Sequence, residues 1–133
     1  MKLLVDSDFL FGSLVDHDAH NARAIGLFHH HKQSGASFYV LDSVLQEVGT
    51  LLSHRIGMES VRSFRQQYAS LGMKEIHLDE FIEKEAWIIF LHQTKKGCSF
   101  VDCANLAIIE KYTLDGILSF DTFYPKNVRI TSS

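Results

Sequence analysis

The sequence predicts an α/β fold in which a mainly parallel sheet of four to five strands is flanked by helices. Short apolar segments typical of strands alternate along the chain with longer segments that have helical hydrophobic spacing. The main strand segments are continuous apolar runs, as expected for strands that helices cover on both faces. A chain of 133 residues is also a suitable length for one domain, which we expect over residues 1–133.

The first strand is predicted from the apolar run at residues 3–5, which ends directly at an acid. A short helix should follow over residues 8–15, because Ser7 can cap its N-terminus and the helix dipole favours Asp8 in the first turn. A polar turn separates this helix from a second one over residues 19–32. Basic and polar residues followed by a glycine indicate where the second helix ends.

The second strand is predicted at residues 38–41, a compact run of aromatic and aliphatic side chains. A third helix should begin immediately and cover residues 42–55, with Ser43 and Gln46 at the spacing of a capping box. A glycine then interrupts the helical pattern. The fourth helix is expected over residues 58–71, where apolar side chains recur on one face.

The third strand is predicted at residues 74–78 and is the weakest of the set. Asp79 is placed to cap a long fifth helix over residues 80–95, which is rich in isoleucine and phenylalanine. Two lysines and a glycine indicate the end of this helix. Ser99 then opens a sixth helix over residues 100–112.

The fourth strand is predicted at residues 116–120 and, like the first, ends at an acid, Asp121. A short last strand is expected at residues 128–130. Pro125 lies in the loop before it, where a proline is tolerated. The alternation of strands and helices is thus maintained to the end of the chain.

Composition and charge limit the classes of function. The net charge is −3, so no overall basic field attracts nucleic acid, although a local patch or a bound cation can reverse the sign at a site. The two cysteines do not form a disulfide framework. The chain opens without a secretory signal pattern, and none of its apolar runs approaches the length of a membrane span. We therefore expect a cytoplasmic protein with no membrane partner.

Four acids stand at positions where a site could form: Asp6 after the first strand, Glu47 in the third helix, Asp102 in the sixth and Asp121 after the fourth strand. Ligands gather beyond the carboxyl ends of parallel strands. Glu47 and Asp102 also lie on apolar stripes of their helices, so we expect their carboxylates to point toward or beside the core. Together these positions predict one converging acidic site. They also predict that the first and fourth strands lie side by side, because both carry an acid at the same end.

Each acid alone has a simpler explanation. Asp102 stands three residues after Ser99 and could complete a capping box. Glu47 could interact favourably with the helix dipole in the first turn of its helix. Asp6 and Asp121 could be turn residues at strand ends. Four such coincidences in one α/β chain are less expected than one, which favours the converging site.

The chemistry of such a site follows from its ligand type. Carboxylates without histidine or cysteine partners select hard cations, Mg²⁺ or Mn²⁺. Such ions hold a phosphodiester, activate a bound water for in-line attack and stabilise the leaving oxygen. The sequence therefore predicts metal-dependent phosphodiester hydrolysis that yields a 5′-phosphate and a 3′-hydroxyl.

The ordered set of motifs resembles the PIN domain, and within it the VapC-type ribonuclease toxins of toxin–antitoxin pairs. The resemblance covers the whole chain, and its motifs are Val5-Asp6-Ser7-Asp8, Glu47 after Asp42-Ser43, Ser99-Phe100-Val101-Asp102 with Ala104, and Ser119-Phe120-Asp121-x-Phe123. It implies that the acidic metal-site residues are Asp6, Glu47, Asp102 and Asp121. It further implies RNA as substrate, a small antitoxin whose C-terminal segment lies across the acid-lined groove, and a homodimer.

Two further polar positions support the site in that family, and here they are Asp8 and Ser119. The first is often Asn or Ser in the family, so Asp8 adds a charge and is either a fifth ligand or a helix cap. Several basic residues could follow an RNA backbone, with a solvated helix face as the simpler explanation. They are Arg55, Arg62 and Arg65, together with Lys95 and Lys96.

Other classes of function stay open at this point. Asp6-Ser7-Asp8 also resembles the nucleophile motif of haloacid-dehalogenase-type phosphatases, although Leu10 departs from that motif and the end of the chain lacks the family's paired acids. A non-catalytic binding module could use the same acids to build a partner surface. A PIN-type nuclease that processes RNA without an antitoxin would have the same motifs as a toxin.

Overall fold

The structure, a computed structural model, describes residues 1–132, over which strands and helices alternate. The strands are β1 (Lys2–Val5), β2 (Ser37–Leu41), β3 (Lys74–Ile76), β4 (Gly116–Leu118) and β5 (Arg129–Ile130). The helices are α1 (Ser7–Leu14), α2 (Asn21–Gln33), α3 (Asp42–Arg55), α4 (Met58–Gln67), α5 (Glu80–Leu91) and α6 (Phe100–Lys111). A short 3₁₀ helix, Tyr68–Leu71, follows α4.

The five strands form one parallel sheet in the order β3-β2-β1-β4-β5, which confirms the predicted fold class. β1 lies at the centre, and Leu3, Leu4 and Val5 are fully buried because helices cover the sheet. β1 pairs directly with β4, Val5 lying opposite Leu118. The carboxyl ends of the two strands therefore reach the same edge of the sheet, as predicted.

The strand order reverses at β1, and this reversal creates a crevice. The chain runs outward from β1 to β3 and then returns past β1 to β4. Because crossovers between parallel strands are right-handed, this reversal places α1 to α4 on one face of the sheet and α5 and α6 on the other. Consistent with this, α1 packs against α2 and α3, and α5 packs against α6. The crevice between the carboxyl ends of β1 and β4 is where open α/β sheets bind ligands.

Two predicted helix caps are wrong. Asp6 rather than Ser7 caps α1, because the Asp6 carboxylate accepts a hydrogen bond from the Ser7 backbone N–H at 2.8 Å. The predicted capping box at the start of α3 is not formed. The Asp42 carboxylate instead accepts the backbone N–H groups of Ser43 and Leu78, at 2.7 Å and 3.2 Å from Oδ1, and so ties α3 to the segment after β3.

Several elements are also shorter than predicted. α4 ends at Gln67 and α5 at Leu91, where the sequence predicted residues 71 and 95. β4 ends at Leu118 rather than at residue 120, because the Phe120 backbone N–H donates to the Asp8 carboxylate at 3.0 Å. The last residues of the predicted strand thus belong to the crevice. Within residues 1–132, none of the helices is long and apolar enough to cross a membrane.

Candidate active site

Asp6 lies at the centre of the crevice and is almost completely buried, with 3% of its surface exposed. One carboxylate oxygen, Oδ1, accepts hydrogen bonds from the Ser7 backbone N–H and from Asn105 Nδ2, at 2.8 Å and 3.3 Å. The other, Oδ2, accepts one from Ser119 Oγ at 2.8 Å. Residues from α1, α6 and the end of β4 therefore hold this carboxylate in one orientation.

Ser119 connects Asp6 to two further acids. Its Oγ lies 2.8 Å from an Asp6 oxygen and 3.3 Å from an Asp8 oxygen. Because a hydroxyl has a single proton, Ser119 can donate to only one of the two carboxylates at a time. The Asp121 backbone N–H donates to the same Oγ at 3.1 Å, and Asp121 Oδ1 accepts the Phe123 backbone N–H at 2.9 Å. The structure thus brings Asp6, Asp8, Ser119 and Asp121 together.

Asp102 reaches the same crevice from the first turn of α6. It completes a capping box with Ser99, in which Asp102 Oδ2 and Ser99 Oγ each accept a backbone N–H at 3.0 Å. Its other oxygen accepts the Tyr124 hydroxyl at 3.3 Å. Asn105 Nδ2 donates to Tyr124 Oη at 3.0 Å and also to Asp6, so a hydrogen-bonded bridge joins the two acids. Asp102 therefore both caps its helix and belongs to the site.

Asn105 and Tyr124, which form this bridge, were not predicted from the sequence. Both are buried, with exposed fractions of 0% and 1%. One feature of the sequence could have indicated Asn105: it is a polar residue three positions after Asp102 in an otherwise apolar stretch of helix. Tyr124 follows a loop and had no local signal that distinguished it from an ordinary core aromatic residue.

Glu47 differs from the other predicted acids. Its side chain is exposed, whereas its neighbours Val44 and Val48 are buried. Of the two orientations expected, toward or beside the core, the first is therefore wrong. Among the described residues, none of the hydrogen bonds or ion pairs joins Glu47 to the other acids. Glu47 lies near the start of α3, which follows β2 at the same edge of the sheet as the crevice. Its part in the site stays a prediction.

The carboxylates of the site lie close enough to repel one another. Burial raises the pKa of Asp6 to about 7, and the nearby Asp8 charge adds to the effect. Burial likewise raises the pKa of Asp8 and of Asp102, and the charge of Asp121 contributes in both cases. Within residues 1–132, none of the ion pairs involves any of these acids.

This arrangement fits a hard divalent cation, although it is not a ready-made metal site. Uncompensated carboxylate oxygens are the ligands that Mg²⁺ and Mn²⁺ prefer. The described side chains contain no group of three or more His, Cys, Asp and Glu residues that could hold a metal ion as they stand. The four-acid ligand set predicted from the sequence therefore stays a prediction.

The contacts of the three predicted RNA-binding arginines are with residues other than the site acids. Arg62 pairs with Glu59 on the surface of α4, with an N–O distance of 3.2 Å. The guanidinium carbon of Arg65 lies 5.6 Å from the centre of the Tyr68 ring, and that of Arg55 lies 5.3 Å from an aromatic ring of α1. These contacts neither support nor contradict RNA binding, which stays a prediction for all three.

Comparisons with known proteins support the fold. No protein-family model matches the chain, and none of the curated proteins matches it. Among solved structures, the chain is similar to VapC20 of Mycobacterium tuberculosis, described as a sarcin-ricin loop cleaving toxin, with a TM-score of 0.80 and 23% sequence identity. The similarity covers 90% of this chain and 89% of that one. At this level of identity the likeness establishes the fold alone, which this chain shares with that protein and which agrees with the α/β fold predicted from the sequence.

Proposed function

We propose that this chain is an endoribonuclease that depends on Mg²⁺ or Mn²⁺, and that it is the toxin of a toxin–antitoxin pair. The observation that carries this proposal is the group of buried and half-buried carboxylates in the crevice between β1 and β4. Within residues 1–132 these carboxylates form no ion pair with a cationic side chain. The fold is shared with a toxin described as cleaving the sarcin-ricin loop. Acids in such a crevice suit a metal-held phosphodiester better than a neutral substrate.

Four acidic residues at this edge of the sheet are proposed to hold the cation, each through its own carboxylate. They are Asp6, Glu47, Asp102 and Asp121. Asp8 and Ser119 are proposed to support them. A bound divalent ion supplies charge stabilisation to the phosphodiester and lowers the pKa of a coordinated water. The chain itself supplies orientation, since hydrogen bonds from three separate elements hold the Asp6 carboxylate.

The hydrogen bonds of Asp6 also argue against a phosphatase that forms a phospho-aspartate. Both Asp6 oxygens accept hydrogen bonds, and the side chain is almost completely buried. A nucleophilic carboxylate needs one oxygen that is free to approach the phosphorus atom in line. A metal ligand needs only one free lone pair, and Asp6 Oδ2 keeps one because it accepts a single hydrogen bond. Asp6 is thus better placed to orient other groups than to attack.

Removal of the metal should abolish the activity. Incubated with a mixed RNA pool, the wild-type chain should produce fragments with 5′-phosphate and 3′-hydroxyl ends in Mg²⁺ or Mn²⁺, and none in EDTA. Asp121→Asn should lower the rate by roughly 100-fold or more, as expected for loss of a metal ligand. Asp115→Asn, which changes an exposed acid whose carboxylate accepts the Lys2 backbone N–H, is the matched control and should retain activity. Fragments with cyclic phosphate ends, or cleavage that persists in EDTA, would contradict the proposal.

The proposed antitoxin must neutralise the acids that it covers. Burying several carboxylates without a counter-charge is highly unfavourable, so the inhibitory segment should insert an arginine or a lysine among them. Because this side chain and the metal would compete for the same oxygens, we expect inhibition to weaken as the Mg²⁺ concentration rises. Cleavage assays of the co-purified complex across a Mg²⁺ titration measure this effect. An inhibitory complex with no basic residue near the acids would contradict this mechanism.

We also propose that the chain forms a homodimer in the cytoplasm. Support comes from α5, where several large apolar side chains are exposed: Phe81, Trp87, Ile88 and Leu91, at 53%, 47%, 47% and 76%. Apolar side chains clustered on one helix are typical of a surface that another molecule covers.

A further inference from the structure

A polar cleft of about 510 Å³ lies beside the acidic crevice. One wall is the loop between α5 and α6, from Gln93 to Cys98, and the other is the loop after β4, which contains Asp121. Gly97, with a φ of 113°, turns the first loop so that the chain can return to the start of α6. One of the proposed site acids therefore forms part of the lining of this cleft.

The opposite wall of the cleft is cationic. It contains Lys95 and Lys96, whose side chains are exposed. Within residues 1–132, neither lysine takes part in an ion pair, so both ammonium groups are available to an anion. By comparison, the groove lined by Arg65 contains Asp42 and Glu75, neither of which belongs to the acidic crevice.

We propose that Lys95 and Lys96 bind the RNA backbone at phosphates next to the one held at the acids. This inference rests on the proposed nuclease function and specifies the path of its substrate. A strand that enters a crevice of carboxylates in a chain of net charge −3 needs cations close by, and this cleft places two of them opposite Asp121. Lysine suits the task because its flexible, point-like charge contacts phosphates without reading bases.

The decisive measurement is the salt dependence of RNA binding. Cleavage is prevented with Asp6→Asn, and the affinity for a short fluorescent single-stranded RNA is measured at one Mg²⁺ concentration across a range of NaCl. Each lost phosphate contact should reduce the slope of log K against log salt by about 0.7. Changing both Lys95 and Lys96 to Ala in that background should therefore reduce the slope by about 1.4 and weaken binding roughly 10-fold or more at low salt.

Two controls separate a local contact from a general charge effect. Lys84→Ala removes an exposed lysine of α5 that does not line the cleft and should leave the slope unchanged. Replacing Lys95 and Lys96 by arginine should preserve the slope, since the charge is retained. With Asp6 intact, the double alanine variant should raise KM for RNA while kcat stays within about threefold, as expected for contacts made equally in the ground and transition states.

The outcomes distinguish this inference from the proposed function. Suppose that the double alanine variant binds RNA with an unchanged slope of log K against log salt while the wild-type chain still cleaves RNA. The proposed path along Lys95 and Lys96 is then overturned, but the proposed nuclease function is not. The lysine path is also overturned if Lys84→Ala reduces the slope as much as the double alanine variant does. The same holds if only Arg62→Ala and Arg65→Ala reduce the slope. If the wild-type chain neither binds nor cleaves RNA in Mg²⁺ or Mn²⁺, the proposed function fails and this inference fails with it.

Discussion

Asp6→Asn should abolish RNA cleavage and, in the absence of metal, stabilise the folded chain at neutral pH. The loss of activity should be at least roughly 100-fold, because a proposed metal ligand is removed. The gain in stability follows from the removal of a carboxylate that is 3% exposed and lies beside Asp8. Asparagine also keeps the cap of α1, since Asn and Asp are equally good N-cap residues.

The hydrogen bonds around position 6 can be kept in the variant. The asparagine carbonyl can accept the bonds from the Ser7 N–H and Asn105 Nδ2 that Asp6 Oδ1 accepts at 2.8 Å and 3.3 Å. The asparagine NH₂ can donate to Ser119 Oγ, whose proton is then free to go to Asp8, 3.3 Å away. The change therefore removes charge without leaving a buried polar group unpaired.

The extra stability of Asp6→Asn over the wild-type chain should depend on pH in a defined direction. The pKa of Asp6 is raised from 3.8 to about 7 in the folded chain, so the folded state keeps its proton where the unfolded state has lost it. Stability of the wild-type chain should therefore fall as the pH rises from about 4 to about 7, and then become level. The difference from Asp6→Asn should be small near pH 3 and reach at most about 4 kcal/mol above pH 7.

Urea unfolding of the metal-free proteins between pH 3 and pH 8 measures this difference. Asp16→Asn, which neutralises an exposed acid in the turn after α1, is the control and should change stability by less than about 0.5 kcal/mol. Mg²⁺ should stabilise the wild-type chain more than Asp6→Asn, because the ion binds only the folded state. If Asp6→Asn lowers the stability of the metal-free chain at pH 8, the electrostatic strain that we describe is absent.

Gly116→Ala should destabilise the fold by about 2–3 kcal/mol, although glycine is usually replaced by alanine in a strand without such a loss. A Cβ at position 116 would lie 2.6 Å from the Val128 carbonyl oxygen and 2.9 Å from Ile130 Cδ1. The Val128 carbonyl also accepts the Ile117 backbone N–H at 2.8 Å, so the clash would push β5 away from β4. We expect cleavage to weaken as well, because β4 leads directly into Ser119 and Asp121.

Gly49→Ala is the matched control for this substitution. Gly49 lies inside α3, and a Cβ there would meet nothing within 4 Å. Alanine has a higher helix propensity than glycine, so this variant should be more stable by about 0.5–1 kcal/mol. Thermal and urea unfolding of the two variants compare them directly. Equal effects of the two substitutions would show that the close approach of β5 to β4 is not maintained in solution.

The sequence by itself was sufficient to predict the parallel sheet, the neighbouring positions of β1 and β4, and the acids that follow them. These features depend on local patterns, since buried parallel strands are short apolar runs and an acid directly after such a run lies at the carboxyl edge. The capping box of Ser99 and Asp102 was also predictable, because its two members are three residues apart. The excessive length predicted for α5 shows the limit of local patterns, because apolar spacing alone does not specify a helix end.

Only the tertiary structure decided how these acids are held. Asp6 contacts Ser119 and Asn105, which are 113 and 99 positions away in the chain, and no local pattern encodes such partners. The same applies to Tyr124, which links Asn105 to Asp102, and to the exposure of Glu47, which depends on what packs against α3. Local spacing determines which residues reach the edge of the sheet. Burial and hydrogen bonding between distant segments determine their charge and orientation, because both depend on the assembled fold.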